Sequence, residues 1–84
     1  MEENEILKGV AEFIGRQKAV PAAQVQMESS FEEDLEMDSL DKTEAIMALE
    51  DRFDIEIADA EAKKLRTVGD AVRFIAAMLT PAGA

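Results

Sequence analysis

Apolar residues recur at helical spacing in three stretches of this chain, and this pattern limits the fold more than any other feature. The first stretch runs from Glu3 to about Gln17, and its apolar face holds Ile6, Leu7, Val10, Phe13 and Ile14. The second runs from Ser39 to about Arg52, and one side of it collects Ala45, Ile46, Leu49 and Phe53. The last stretch has an apolar stripe of Val68, Ala71, Val72, Ile75 and Leu79. We therefore predict three amphipathic helices.

Polar residues and one proline predict where these helices begin and end. Asp38 is a suitable N-cap for the second helix, with Asp41 at the third helical position, where a carboxylate interacts well with the helix dipole. Thr67 and Asp70 have the same spacing at the start of the last helix. Pro21 places the end of the first helix near residue 18.

A long connection separates the first two of these helices. It covers residues 19–37, and its large apolar side chains are Val20, Val25, Met27, Phe31, Leu35 and Met37. Ser30 and Glu33 resemble a capping box, which predicts one short helical turn from Phe31 to Leu35. A loop with this many apolar anchors is expected to pack on the core.

The expected fold is all-α: a small four-helix bundle with a long first loop and a short third helix. Asp59 is predicted to cap that third helix, which ends near Leu65. A chain of 84 residues is too short for a second independent core, so we expect a single domain over residues 1–84. Its tail, about residues 80–84, is expected to fray.

The composition limits what chemistry the chain can perform by itself. It contains no cysteine and no histidine, which removes thiolate nucleophiles, imidazole bases and the usual zinc ligands. We therefore expect a non-catalytic protein without a metal site. Asp34, Glu36 and Asp38 alternate as in a calcium-binding loop, but Ser39 stands at the sixth loop position in place of glycine, so that interpretation fails.

The charge of the chain limits its partners. Nineteen acidic residues against nine basic ones give a net charge of −10, which repels nucleic acids and anionic membrane surfaces and favours basic protein partners. Charge that serves only solubility is the alternative. No basic leader or apolar run of about 18 residues occurs, so we expect a cytoplasmic protein, monomeric and without a membrane span.

Residues 31–75 resemble the acyl carrier proteins, and the match is centred on the tripeptide D-S-L at Asp38, Ser39 and Leu40. The matching stretch reads FEEDLEMDSLDKTEAIMALEDRFDIEIADAEAKKLRTVGDAVRFI. It includes ALEDRFDIEI and the helix start TVGDAV at the expected separations, and the first helix fits the same four-helix plan. A bare D-S-L would carry little weight, whereas this register over more than half of the chain is specific.

The resemblance implies that Ser39 carries a 4′-phosphopantetheine arm, added from coenzyme A by a magnesium-dependent phosphopantetheinyl transferase. Acyl groups would then be carried as thioesters on the arm and presented to enzymes of fatty-acid or specialised lipid or polyketide biosynthesis. Ser39 stands at the first helical position, where backbone N–H groups and the helix dipole favour a phosphate. In the competing interpretation Ser39 is an ordinary helix-start serine, and the chain is an unmodified acidic helical adaptor that binds basic partners.

The resemblance also implies two sets of contact residues. The first set is for partner recognition. Its acidic members match positions where the family meets basic patches on acyl-processing enzymes and are Asp38, Asp41, Glu44, Glu50 and Asp51. Leu40 and Met47 would add apolar contacts beside them. Those that match or adjoin the lining of the acyl cavity are Phe31, Thr43, Ile46, Leu49, Phe53, Ile57, Ala62, Leu65 and Ala71. Most of the second set would also serve as ordinary core residues.

This sequence departs from the family pattern at four positions. Glu36 replaces the usual glycine before the attachment motif, so the loop is expected to do without a residue suited to positive φ there, or to flex differently. Thr43 and Ala45 replace positions that are commonly larger and aliphatic, and Ala58 replaces a frequent proline. These changes leave open whether the cargo is that of the housekeeping fatty-acid carrier or that of a specialised one.

Overall fold

Helices form where the apolar spacing predicts them. The computed structural model describes residues 2–79, and within them the α-helices are α1 (Glu3–Lys18), α2 (Ser39–Phe53), α3 (Asp59–Ala62) and α4 (Val68–Leu79). The all-α class and the four-helix arrangement are therefore confirmed. The predicted frayed tail, residues 80–84, lies outside the described residues.

Two of the three predicted capped helix starts are present. Asp38 is the N-cap of α2, and its side chain accepts a hydrogen bond from the backbone N–H of Asp41. At the start of α4, the N–H of Asp70 donates to Thr67 Oγ1 over 3.1 Å, and the N–H of Thr67 donates to Asp70 Oδ2 over 3.2 Å. Each start thus satisfies backbone donors that a helix leaves without partners.

The third helix differs from its prediction in both its cap and its length. Asp59 is the first residue of α3, the N-cap is Ala58, and no side chain caps the helix. The helix ends at Ala62, not near Leu65, because the N–H groups of Lys64 and Leu65 bond to carbonyls only three residues back. This tighter turn carries Leu65 into the core, where it is buried.

The long first loop also differs in detail. Ser30 Oγ accepts from the N–H of Glu33 over 3.2 Å, as predicted, but the carboxylate that accepts from the N–H of Ser30 belongs to Asp34, at 2.7 Å. Residues 31–34 form a hydrogen-bonded turn in place of a helical one. A 3₁₀-helix, Ala22–Gln24, was not predicted, because three residues are too few to show a period.

The core is formed by apolar side chains from the helices and from the loop. Its deepest members come from α1, α2 and α4 and are Ile6, Val10, Ile14, Leu49, Val68, Val72 and Ile75. The loop adds Val25, Phe31, Leu35 and Met37, all buried. Among residues 2–79 no polar or charged residue is buried. The packing is therefore driven by burial of apolar surface.

Close approaches at glycines bring the segments together. A Cβ added at Gly9 would lie 2.9 Å from Arg52 Nε and 3.1 Å from Phe53 Cζ, so α1 packs closely against the end of α2. A Cβ at Gly15 would lie 2.8 Å from the backbone oxygen of Val20. These contacts offset the cost of placing glycine inside α1, which is about 1 kcal/mol per residue relative to alanine.

Backbone hydrogen bonds join the loop to the first turn of α4. The N–H of Val68 donates to the Ser29 oxygen over 2.9 Å, and the N–H of Gly69 donates to the Met27 oxygen over 2.8 Å. Ser30 and Thr67 form an isolated antiparallel bridge. The loop therefore holds the start of α4 in place.

No helix within residues 2–79 has both the length and the apolar character needed to cross a bilayer.

The residue after α1 allows a test of this backbone geometry. Ala19 has φ of 56°, in the left-handed region that favours glycine. We expect Ala19→Gly to raise the free energy of unfolding by about 0.5–1 kcal/mol, measured by urea titration, because the Cβ strain is removed. Ala22→Gly is the matched control, since φ of Ala22 is not positive, and it should not stabilise. Equal effects of the two changes would contradict this account.

Candidate functional site

Two aspartates fix the start of α2. Asp38 Oδ1 accepts from the N–H of Asp41 over 2.8 Å, and Asp41 Oδ2 accepts from the N–H of Asp38 over 3.3 Å. This reciprocal pair is a capping box, in which an aspartate takes the place of the more common glutamate. It makes Ser39 the first helical residue of α2.

Asp41 also connects the start of α2 to the end of α1. Its Oδ2 accepts from Lys18 Nζ over 3.1 Å, and its backbone oxygen accepts from Gln17 Nε2 over 3.1 Å. The hydrogen bond from Lys18, followed by that from the backbone N–H of Asp38, holds the pKa of the Asp41 carboxyl below its ordinary value of 3.8. Asp41 therefore remains ionised and serves the fold.

The hydroxyl of Ser39 differs from the other two serine hydroxyls. Ser29 Oγ accepts from the N–H of Gln26 over 3.0 Å, and Ser30 Oγ accepts from the N–H of Glu33. Ser39 is exposed, and among the hydrogen bonds within residues 2–79 none involves its Oγ. Its hydroxyl is therefore accessible to another enzyme.

Ser39 opens onto a groove of about 590 Å³ between α2 and α3. The residues that line the groove with Ser39 are Glu32, Lys42, Thr43, Ile46, Asp59, Ala62 and Lys63. Thr43 Oγ1 donates to the backbone oxygen of Ser39 over 2.9 Å, so this hydroxyl has a partner on its own helix. The groove thus combines apolar side chains with charged ones at its edges.

The predicted cavity residues fall into two groups. Thr43, Ile46 and Ala62 line the groove together with Ser39. The others are buried in the core and comprise Phe31, Leu49, Phe53, Ile57, Leu65 and Ala71. Sequence reasoning missed Glu32, Lys42, Asp59 and Lys63. The spacing of Lys42, three residues after Ser39 on one helix face, was the available signal.

The predicted docking residues also divide. Asp38, Glu44 and Asp51 are exposed, and so are Leu40 and Met47, at 65% and 62% of their full accessibility. Asp41 and Glu50 are only partly exposed. Glu50 Oε2 accepts from the backbone N–H of Ile57 over 2.8 Å and so holds the segment after α2. The docking roles of all seven residues stay predictions.

Glu36, three residues before Ser39, contradicts an expectation from the sequence. Its φ is 51°, so the loop keeps the left-handed conformation that the usual glycine would adopt, although a glutamate stands there. The N–H of Met37 bonds to the Phe31 oxygen over 2.9 Å, and Met37 is buried. Packing on both sides of Glu36 therefore holds it in a strained conformation.

Comparisons with known proteins decide the family. The sequence model described as the phosphopantetheine attachment site matches residues 4–75. The acyl carrier protein of Prochlorococcus marinus is 48% identical over 77 residues, 92% of this chain and 96% of the relative. This chain belongs to the acyl carrier protein family. It is a carrier of acyl groups, which ride on a covalently attached 4′-phosphopantetheine.

Other acyl carrier proteins agree with this assignment. The acyl carrier protein of Acidothermus cellulolyticus is 46% identical over 76 residues, 90% of each chain. The solved structure of the acyl carrier protein from Enterococcus faecalis has a TM-score of 0.78 and 38% identity, and covers 92% of this chain and 98% of its own. The resemblance drawn from residues 31–75 is thus confirmed.

The residues at the start of α2 fit the cofactor. An exposed hydroxyl without an internal partner stands at the first turn of a helix of 15 residues, beside an open groove. The arm supplies a thiol, which this chain lacks. Ser39 would hold it.

The ion pair at Asp41 makes the stability depend on pH. Because the pKa of Asp41 is lowered on folding, its ionised form contributes stability that is present above pH 3.8 and is lost as the pH falls through the folded-state pKa. We expect Asp41→Asn to be less stable than the wild type at pH 7 and the difference to shrink on acidification, measured by thermal melts. Asp51→Asn, at an exposed carboxylate, is the control. A difference independent of pH would refute this role.

Proposed function

We propose that Ser39 is the attachment residue and that the chain is a substrate of a phosphopantetheinyl transferase. The transferase breaks the P–O–P linkage of coenzyme A. Ser39 Oγ loses its proton and becomes bonded to the phosphorus of the pantetheine half, and adenosine 3′,5′-bisphosphate leaves. The accessible, unpartnered hydroxyl of Ser39 is the observation that carries this proposal. The protein itself contributes no catalytic group and acts as the carrier.

We also propose a docking face, defined as Asp38, Leu40, Glu44, Met47 and Asp51. All five side chains are exposed. Carboxylates beside two exposed apolar side chains suit a partner with a basic patch and a small apolar contact. Asp41 and Glu50 stabilise the structure around this face. The Asp41 carboxylate pairs with Lys18, and the Glu50 carboxylate accepts a hydrogen bond from the Ile57 N–H.

The processing enzymes belong to fatty-acid biosynthesis or to a specialised lipid or polyketide pathway. Thr43, one of the departures from the family pattern, lines the groove at Ser39, but its hydroxyl is satisfied by the Ser39 carbonyl. A fatty acyl chain therefore meets no unpartnered hydroxyl there. We propose that the protein acts in the cytoplasm as a monomer.

Loading of Ser39 is measured by intact mass. Incubation with coenzyme A, magnesium and a broad-specificity transferase should add about 340 Da, one phosphopantetheine unit. Ser39→Ala should show no gain, because the accepting oxygen is absent. Ser30→Ala is the matched control and should load fully, since Ser30 Oγ bonds within the loop.

Circular dichroism of the three proteins shows that each is folded. A folded wild type that gains no mass with an active transferase would overturn the proposal. The acidic adaptor would then replace the carrier, and Ser39→Ala should leave binding to basic partners unchanged. A gain in Ser39→Ala would move the attachment to another residue.

Charge reversal tests the docking face. The Glu44 side chain is exposed and makes no hydrogen bond or ion pair within the described residues, so Glu44→Lys should leave the fold intact. We expect it to lower kcat/KM of the transferase about fivefold at low salt, because electrostatic steering is lost, and less in high salt. Glu5→Lys, exposed on α1, carries the same charge change and should react at the wild-type rate. Equal losses of kcat/KM in both variants would mean that the net charge of the protein, and not the docking face, determines the rate.

A further inference from the structure

Basic side chains gather beside Ser39 in an otherwise acidic chain. Lys42 and Lys63 both line the groove that contains Ser39. An adjoining groove of about 260 Å³ is lined by the same two lysines with Arg66, Ser30, Glu32 and Glu33. The chain has nine basic residues against nineteen acidic ones, whereas the groove at Ser39 is lined by two of each, so the basic share is higher there than in the whole chain.

Lys42 is held in position at the groove. Its Nζ donates to the backbone oxygen of Leu65 over 3.2 Å and lies 5.9 Å from the centre of the Phe31 ring. An ammonium group has three donors, so two remain for another acceptor. The ion pairs found within residues 2–79 involve Lys18, Lys64 and Arg73, and none involves Lys42 or Lys63.

The carboxylates around Ser39 are arranged unevenly. Asp38 precedes it and belongs to the docking face, whereas Lys42 follows it by one helical turn. Glu32 and Asp59 also line the groove, and both are exposed. Lys63 is as exposed as these two carboxylates, and Lys42 is only partly exposed. Of the charged groups in the groove, only the two lysines can donate hydrogen bonds to an anion bonded to Ser39 Oγ.

We propose that Lys42 and Lys63 form an anion subsite that holds the phosphodiester of the arm and directs the arm along the groove between α2 and α3. The proposal rests on attachment at Ser39. The phosphodiester is favoured over a carboxylate on the cargo because it is bonded to Ser39 itself and so lies at the groove whatever the cargo. A partner enzyme that draws the arm out must break these two contacts.

The test compares apo and fully loaded forms of three proteins. They are the wild type, the variant Lys42→Gln with Lys63→Gln, and a control with the same charge change, Arg16→Gln with Lys64→Gln. Arg16 and Lys64 are exposed and line neither groove. Loading is established by intact mass, Tm is measured for both forms, and the phosphodiester is observed by ³¹P NMR.

In the lysine variant we expect loading to lower Tm by about 4 °C more than in the wild type at low salt, because the new negative charge is unpaired. Its ³¹P line should be narrower, since the phosphate moves more freely. The control should behave as the wild type, and 1 M salt should abolish the difference. Comparison of apo with loaded protein within each variant cancels the loss of the Lys42 bond to Leu65.

Three results would overturn the subsite. One is a lysine variant that loads fully and shows the same Tm shift and ³¹P line width as the wild type. Another is an equal effect in the control. A third is a dependence that appears only when the arm carries a carboxylate-bearing acyl group, which would make the cargo the ligand. Absence of any mass gain would instead overturn attachment at Ser39, and the subsite with it.

Discussion

The reciprocal hydrogen bonds between Asp38 and Asp41 are the interaction on which the functional region depends. They end the long loop and start α2, and so they make Ser39 the first residue of a helix. Through Lys18 and Gln17, Asp41 also ties this point to the end of α1. The accessible serine is therefore fixed relative to two helices.

The acidic residues of this carrier perform different tasks. Asp41, Glu50 and Asp70 accept hydrogen bonds from backbone N–H groups and stabilise local structure. Asp38 does so as well while remaining exposed, and Glu44 and Asp51 are exposed on α2. A count of charges therefore overstates the surface offered to a partner. The carboxylates of the proposed docking face are the exposed ones, with Leu40 and Met47 beside them.

The groove at Ser39 and the core lie on two faces of the same helix. Leu49 and Phe53 turn inwards and are buried, while Thr43 and Ile46 line the groove. The core is apolar and holds no polar residue among those described. Protein interiors of this kind are close-packed, with few voids. With the arm attached at Ser39 as proposed, its cargo would meet the groove between α2 and α3 first.

The strongly periodic parts of this protein were determined by its sequence alone. The apolar stripes of α1, α2 and α4 and the polar caps of α2 and α4 are local signals, because side chains one turn apart share a face and a cap needs only its own helix. The D-S-L motif in its register likewise identified the family before any coordinate was known.

Tertiary structure decided the rest, wherever the partner of a group lies far along the chain. The length of α3 followed from the burial of Leu65, and the positive φ of Glu36 from the packing of its neighbours. The pairing of Asp41 with Lys18 joins residues 23 positions apart, and Lys63 lines the same groove as Ser39 although the two lie in different segments. No local pattern encodes such contacts, because they exist only once the core has brought the helices together.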